Sequence, residues 1–201
     1  NIPVGNDFQL ALGIKGGINL LNVDYGLLTI LDNTDPNIQQ NIENRLSPVI
    51  GTGIYAFNDK FYVGVSVPNL LRTTHYDDIT QSTARERPNF YLITGYVFNL
   101  SDAWLFKPAL LTKAVENAPI ALDISANFLY NEKFTMGVAY RLDVAVSALA
   151  GFQVSNAIQI GYAYDYSTSN LGNFTSGSHE VFMRFSLGNK TDDRLIEPRF
   201  F

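Results

Sequence analysis

Residues 143–165 read DVAVSALAGFQVSNAIQIGYAYD, and this stretch decides the fold class. No charged residue stands between Asp143 and Asp165, and the run exceeds the roughly 18 residues that a membrane-spanning helix needs. Its residues nevertheless alternate with a period of two. Every second position is apolar, namely Val146, Ala148, Ala150, Phe152 and Val154. The positions between them include Ser147, Gly151 and Gln153. The stretch therefore predicts two β-strands joined by a tight turn at Ser155-Asn156.

The same alternation recurs along the whole chain. Apolar residues of one parity oppose small or weakly polar residues of the other in the segments 8–14, 90–98, 104–110, 120–130, 134–140 and 181–187. We count about ten strands of roughly 8 to 14 residues, which are longer than strands in most globular proteins.

Two architectures produce this pattern. In a soluble sandwich the apolar face is buried and the polar face meets water, whereas in a transmembrane barrel the apolar face meets lipid. Strands of about 10 residues match a tilted membrane crossing. The opposing face consists of Gly, Ala, Ser, Thr, Asn and Gln rather than Lys and Glu, and Tyr and Phe lie near many strand ends. These features favour the membrane barrel.

The connectors between the expected strands alternate in length. Short turns are expected near residues 57–60, 99–102, 131–132 and 155–156, and longer connectors near 22–46, 68–88, 115–119, 141–144 and 167–176. Outer-membrane barrels have short periplasmic turns and longer outer loops. The sequence therefore predicts an all-β, up-and-down antiparallel transmembrane β-barrel over residues 1–188, with both ends of the chain periplasmic.

The composition excludes several classes of function. Only 16% of the residues are charged, the net charge is −5 and there is no cysteine, so thiol chemistry and a nucleic-acid partner are not expected. His75 and His179 have no neighbour at a ligand spacing, and no glycine-rich loop opens a helix, so we expect no metal or cofactor. His179 and Glu180 are adjacent in an expected strand and point to opposite faces, which argues against a catalytic site and an enzyme.

Six polar residues fall on the face that we expect to line the inside of the barrel. Enclosed charges must be paired or hydrated. The six can form an internal network that stiffens the barrel, which we favour, or an eyelet that binds or passes a solute. They are Asp123, Asn127, Arg141, Asp165, Glu180 and Arg184.

Several stretches together resemble the PorP/SprF family of type IX secretion system outer-membrane proteins. The most specific block runs from Gly161, Tyr162, Tyr164 and Asp165 to Ser176, Gly177, Ser178, His179 and Glu180. Further resemblance lies in residues 62–71, 95–98, 104–111, 137–141, 167–171 and 198–201. Members of this family are longer chains, so the resemblance implies that the strands counted here are the C-terminal part of a larger barrel.

The resemblance also implies a function. Such barrels help to export large adhesins or anchor them at the cell surface through a C-terminal sorting domain, and in gliding bacteria the adhesins drive movement. The implied partners are this adhesin domain, other secretion or gliding components, and outer-membrane lipid. Residues 189–201 follow the last strand, and we predict a periplasmic tail that docks through Pro198, Arg199, Phe200 and Phe201. A passive diffusion porin and, less favoured, a soluble β-sandwich binding module remain the alternatives.

Overall fold

The computed structural model describes residues 1–5, 7–24, 42–71 and 87–185, and the fold of this part is all-β. It contains twelve strands in one sheet. In chain order the strands are β1 (Ile2–Val4), β2 (Phe8–Val23), β3 (Ile42–Phe57), β4 (Phe61–Val67), β5 (Asn89–Tyr96), β6 (Phe98–Asn99), β7 (Trp104–Val115), β8 (Ala121–Tyr130), β9 (Phe134–Arg141), β10 (Ala145–Gln153), β11 (Ile158–Ser167) and β12 (Ser178–Phe185).

The topology is an up-and-down antiparallel meander, as the sequence predicts. Each long strand pairs with the next long strand along the chain, and the two-residue strand β6 pairs only with β7. Apart from β1 and β6, the strands are between 7 and 16 residues long. In the described part of the chain the sheet is not closed, because β1 forms one edge and β12 forms the other.

Tight turns join the strands where the sequence predicts them. Between β8 and β9, Asn131 and Glu132 have positive φ angles of 47° and 54°, as the two central residues of a type I′ turn require. Between β3 and β4, the Oδ1 atom of Asn58 accepts hydrogen bonds from the backbone N–H groups of Lys60 (3.0 Å) and Phe61 (2.7 Å). These local bonds fix the register of each hairpin.

The expected alternation of short and long connectors fails at one point. The sequence places a connector at 141–144 and groups it with the longer ones, whereas residues 142–144 join β9 to β10 in a turn as tight as those at the other end of the sheet. Asp143 has a positive φ of 58°, and the N–H of Val144 donates to the carbonyl of Arg141 at 3.0 Å. The turn is short because Asp tolerates the left-handed conformation that closes it.

The two faces of the sheet differ in exposure and chemistry. On β9, the register places Phe134, Met136, Val138 and Tyr140 on one face, and the residues between them on the other. The apolar face, which we call the outer face, is the exposed one, with exposed fractions of 55% at Val138, 85% at Val181 and 95% at Ile14. The opposite face is the inner face. An exposed apolar face is what a strand surface in lipid requires, and a soluble sandwich would bury it.

Aromatic side chains form a belt at the end of the outer face near the short turns. Neighbouring rings lie close along the chain, with 4.6 Å between the centroids of Tyr96 and Phe98, and across paired strands, with 4.8 Å for Phe106–Phe128 and 4.7 Å for Trp104–Tyr130. Belts of this kind sit at the interface between hydrocarbon and headgroups. No helix among the described residues is long and apolar enough to span a membrane.

Candidate functional site

The inner face of β8 to β12 carries the six polar residues that the sequence predicts to face inward. The register places all of them on this face, with Asp123 opposite Arg141, Asn127 opposite Gly137, Asp165 opposite Ser147, Glu180 opposite Ala163 and Arg184 opposite Gln159. Alternate residues of a strand lie on the same face of the sheet, so the alternation in the sequence assigns each of the six residues to this face.

Asp123 and Arg141 are brought together as an ion pair. The Nε atom of Arg141 donates to Asp123 at 2.7 Å, and one terminal nitrogen donates to the other carboxylate oxygen at 3.3 Å. Asp165, on β11, adds a second favourable Coulombic interaction with the guanidinium. The side chain of Arg141 is 53% exposed and that of Asp123 23% exposed, so solvent screens the pair in part.

Asn127 lies in the same polar region but makes a local contact. Its amide nitrogen is 3.3 Å from the hydroxyl of Ser125 on the same strand. Its side-chain oxygen also covers Gly137, where an added Cβ would collide with it. The six residues thus line one surface, on which hydrogen bonds join Asp123 to Arg141.

The inner face of β3 to β5 carries a group of packed aromatic side chains, which the sequence analysis did not single out. Tyr62 and Phe57 are 5% and 7% exposed, and the ring of Tyr55 stacks on Tyr62 with 5.9 Å between centroids. Each tyrosine lies over a glycine of the next strand: an added Cβ at Gly64 would stand 2.7 Å from the Tyr55 ring, and one at Gly95 would stand 2.5 Å from the Tyr62 hydroxyl. Aromatic residues paired with glycines fill this part of the inner face.

Lys107 also lies on the inner face, and the sequence analysis did not identify it. It pairs in register with Asn127 and is only 7% exposed. A buried lysine is uncommon, and its position is set by the packing of neighbouring strands. The only signal in the sequence was its place on the face of β7 opposite Trp104 and Phe106.

The block between β11 and β12 that carries the family resemblance is divided between the two faces. Tyr162, Tyr164 and His179 lie on the outer face, and Asp165 and Glu180 on the inner face. The Tyr162 hydroxyl lies 2.5 Å from Nδ1 of His179, and the His179 ring is 4.8 Å from that of Tyr164. His179 and Glu180 therefore point away from each other.

The two glycines of this block have steric roles. Gly161 lies under the ring of Phe182, which an added Cβ would strike. Gly177 precedes β12 with a φ of +93°, and an added Cβ there would meet the carbonyl of Asp165 at 2.6 Å. The Tyr164 hydroxyl donates to the adjacent Ser176 carbonyl at 2.7 Å, so Gly177 lets the chain approach β11 closely enough for this bond.

Other predicted residues lie beyond what the structure describes. His75 and the tail of residues 189–201, with Pro198, Arg199, Phe200 and Phe201, are outside the described residues. Within the described ranges, no group of three or more His, Asp or Glu side chains is arranged to hold a metal ion.

The sequence matches a known protein family over most of its length. Residues 1–185 match the family described as the type IX secretion system membrane protein PorP/SprF. The chain belongs to the PorP/SprF family. It is therefore an outer-membrane component of the type IX secretion system, and other components of that system are its partners. No curated protein matches the chain.

Proposed function

We propose that this PorP/SprF protein binds the C-terminal sorting domain of large exported adhesins and helps to export them or to anchor them at the cell surface. In gliding bacteria, such adhesins would be the ones that drive movement. Family membership supports a role in secretion, and the all-β sheet with its exposed apolar outer face supports a position in the outer membrane.

The observation that carries a binding role, rather than a transport pore, is the aromatic inner face of β3 to β5. Porins line their interior with polar side chains that keep a water-filled channel open. Here Phe57 and Tyr62 are buried on that face, and Tyr55 stacks on Tyr62. A surface filled in this way supports a protein that holds a partner on its loops more than one that passes small solutes.

The polar region of β8 to β12 fits the same proposal as an internal support. Asp123 and Arg141 connect β8 to β9, and Asp165 extends the favourable electrostatics to β11. We propose that these residues, with Asn127, Glu180 and Arg184, stiffen the strands that carry the outer loops. Acidic and basic residues are mixed in this region, which supports ion pairs between them more than a site that selects ions of one sign.

The orientation follows from the general plan of outer-membrane barrels. Short turns face the periplasm and longer loops face outward, so β1 and the end of β12 would lie on the periplasmic side. We propose that residues 189–201 form a periplasmic tail whose last residues, Pro198, Arg199, Phe200 and Phe201, dock on the barrel base or on other secretion components. Removal of this tail should reduce adhesin display while the barrel still assembles, and unchanged display would contradict its role.

The most direct test is co-purification from native membranes. The full-length protein is tagged, extracted in mild detergent, and its bound proteins are identified by mass. We expect an exported protein with a C-terminal sorting domain, retained only when that domain is intact. Recovery of secretion components without any exported protein would contradict adhesin binding.

The alternative, a passive porin, predicts a different measurement. The purified protein is reconstituted in a planar bilayer, and its conductance is recorded without a partner. We expect no steady open-channel current, because aromatic side chains fill part of the inner face. Stable conductance of porin size would favour the alternative.

A further inference from the structure

Two edges of the sheet lack a neighbouring strand in the part of the chain that the structure describes. At one edge, β12 pairs with β11 alone, and all eight of its residues are exposed. At the other edge, β1 covers β2 only from Phe8 to Leu10, so the rest of β2 pairs with β3 alone. Each edge therefore presents a row of backbone N–H and C=O groups to its surroundings.

A lipid environment makes such edges unfavourable. Hydrocarbon offers no hydrogen-bond partner, so open sheet edges do not occur within it. The exposure of the outer face shows where neighbours are missing. Ile14 on β2 and Val181 on β12 are 95% and 85% exposed, whereas Val138, whose strand is paired on both sides, is 55% exposed. Each of the two edges thus needs a partner strand in the membrane.

The two edges run in directions that allow them to pair with each other. Without β1 and β6, ten of the twelve described strands form the path from β2 to β12, and each is antiparallel to the next. Because ten is an even number, β2 and β12 run in opposite directions. Their pairing would give an antiparallel barrel with an even number of strands, which is the rule for single-chain bacterial outer-membrane barrels.

We propose that residues 11–17 of β2 and residues 178–184 of β12 pair edge to edge and close a ten-stranded barrel. We call this junction the closing seam. Its register places Lys15 opposite Glu180, and it begins directly after Leu10, the last residue of β2 that β1 covers. The closing seam concerns the barrel itself and does not depend on which protein the barrel binds.

Charge complementarity favours this register. Lys15 and Glu180 both lie on the inner face, and no hydrogen bond or ion pair joins the side chain of either to another described residue. Opposite charges on facing strands stabilise a sheet, and like charges directly opposite each other destabilise it. The closing seam pairs Lys15 with a carboxylate, whereas a shift of four residues would place it opposite Arg184.

The sizes of the side chains on the inner face are complementary in the same register. It places Gly13 opposite Phe182. An added Cβ at Gly13 would meet nothing closer than the carbonyl oxygen of Gly53 at 3.9 Å, so this part of β2 has room for a large side chain. Phe182 already lies over Gly161 on its other side, and a glycine on β2 would complete its surroundings.

The outer face of the closing seam pairs apolar side chains. Ile14 stands opposite Val181, and Leu12 stands opposite Met183. All four are exposed by more than half in the open sheet. Pairing of the two edges would therefore make the apolar outer face continuous around the barrel.

The test is disulfide formation in the full-length protein in native membranes. The 201 residues contain no cysteine, so Ile14→Cys with Val181→Cys reports on the closing seam. A disulfide requires Cα atoms within about 7 Å of each other. Ile14→Cys with Thr52→Cys is the positive control, because these residues pair between β2 and β3. Ile18→Cys with Val181→Cys is the register control, since four residues along a strand displace the partner by roughly 13 Å.

After oxidation and proteolysis, the joined peptides are quantified by mass. We expect the pair at 14 and 181 to link to a similar extent as the positive control and roughly tenfold more than the register control, because only the first two pairs lie within reach of a disulfide.

Exchange of charges tests the contact between Lys15 and Glu180. In the variant with cysteines at 14 and 181, Glu180→Lys places two like charges opposite each other and should lower the yield of the link roughly two- to fivefold. Adding Lys15→Glu restores opposite charges and should restore the yield.

Several results would overturn the proposal. If the positive control links and the pair at 14 and 181 does not, another strand lies between the two edges. A dimer joined through residue 181 would assign β12 to an interface between two copies instead. Equal yields for the seam pair and the register control would contradict the register, and a charge exchange that restores nothing would contradict the contact of Lys15 with Glu180.

Discussion

The inner face of β3 to β5 and the inner face of β8 to β12 belong to one sheet but are built from different side chains. The first packs Tyr55 and Tyr62 over glycines of the neighbouring strands, and Tyr62 is 5% exposed. The second carries the Asp123–Arg141 pair, in which the arginine side chain is 53% exposed. Packing therefore stabilises the first region, whereas partly hydrated polar contacts organise the second.

This difference has an energetic consequence. Loss of a buried aromatic side chain removes both transfer free energy and packing, typically about 3 to 5 kcal/mol. A partly exposed ion pair contributes about 1 kcal/mol or less, because water competes for both partners. A substitution by alanine should therefore lower the free energy of unfolding more in the first region than in the second.

The largest effect is expected for Tyr62→Ala. Tyr62 is among the most buried described side chains, and its removal leaves a cavity over Gly95. We expect a loss of about 3 kcal/mol in the free energy of unfolding, measured by urea titration in lipid vesicles. Tyr62→Phe, which keeps the ring, is the control and should lose about 1 kcal/mol or less. Equal losses in both variants would show that ring packing is not what stabilises this region.

A smaller effect is expected for Gly95→Ala. The added Cβ would stand 2.5 Å from the Tyr62 hydroxyl and 2.7 Å from the ring, so Tyr62 must leave its place. Overpacking of this kind costs about 1 to 3 kcal/mol. Gly17→Ala on β2 is the matched control, because nothing lies within 4 Å of its added Cβ, and its stability should stay within about 0.5 kcal/mol of the wild type. The same urea titration separates the two, and a tolerated Gly95→Ala would contradict the tight fit.

The smallest effect is expected in the polar region. Asp123→Ala and Arg141→Ala should each lower stability by about 1 kcal/mol or less, and the double variant should lose little more than either single one. A double-mutant cycle measures the coupling directly. A coupling as large as the effect of Tyr62→Ala would mean that the polar region, too, is stabilised like a buried core.

The sequence predicts the faces of the sheet well and its contacts poorly. Because a strand repeats every two residues, the parity of Asp123 and Arg141 already places both on the inner face. The pairing of Tyr62 with Gly95 depends on the register between β4 and β5, which no local pattern specifies. The sequence also places a connector at 141–144, but its tightness depends on the left-handed conformation of the single residue Asp143.

The resemblance block illustrates the same limit. Strand parity predicts that His179 and Glu180 lie on opposite faces, and the register confirms it. The contact of His179 with Tyr162 and Tyr164 joins residues from two strands and requires the antiparallel pairing of β11 with β12.

The central claim, that the apolar face of this sheet lies against lipid, has a direct test on β9. The chain has no cysteine, so single cysteines at residues 134–140 can each carry a nitroxide label in reconstituted membranes. The collision rate with lipid-dissolved oxygen should peak at residues 134, 136, 138 and 140 and fall at 135, 137 and 139, while a water-soluble quencher shows the reverse. Oxygen accessibility that peaks at the odd residues, or that shows no period of two, would contradict the account.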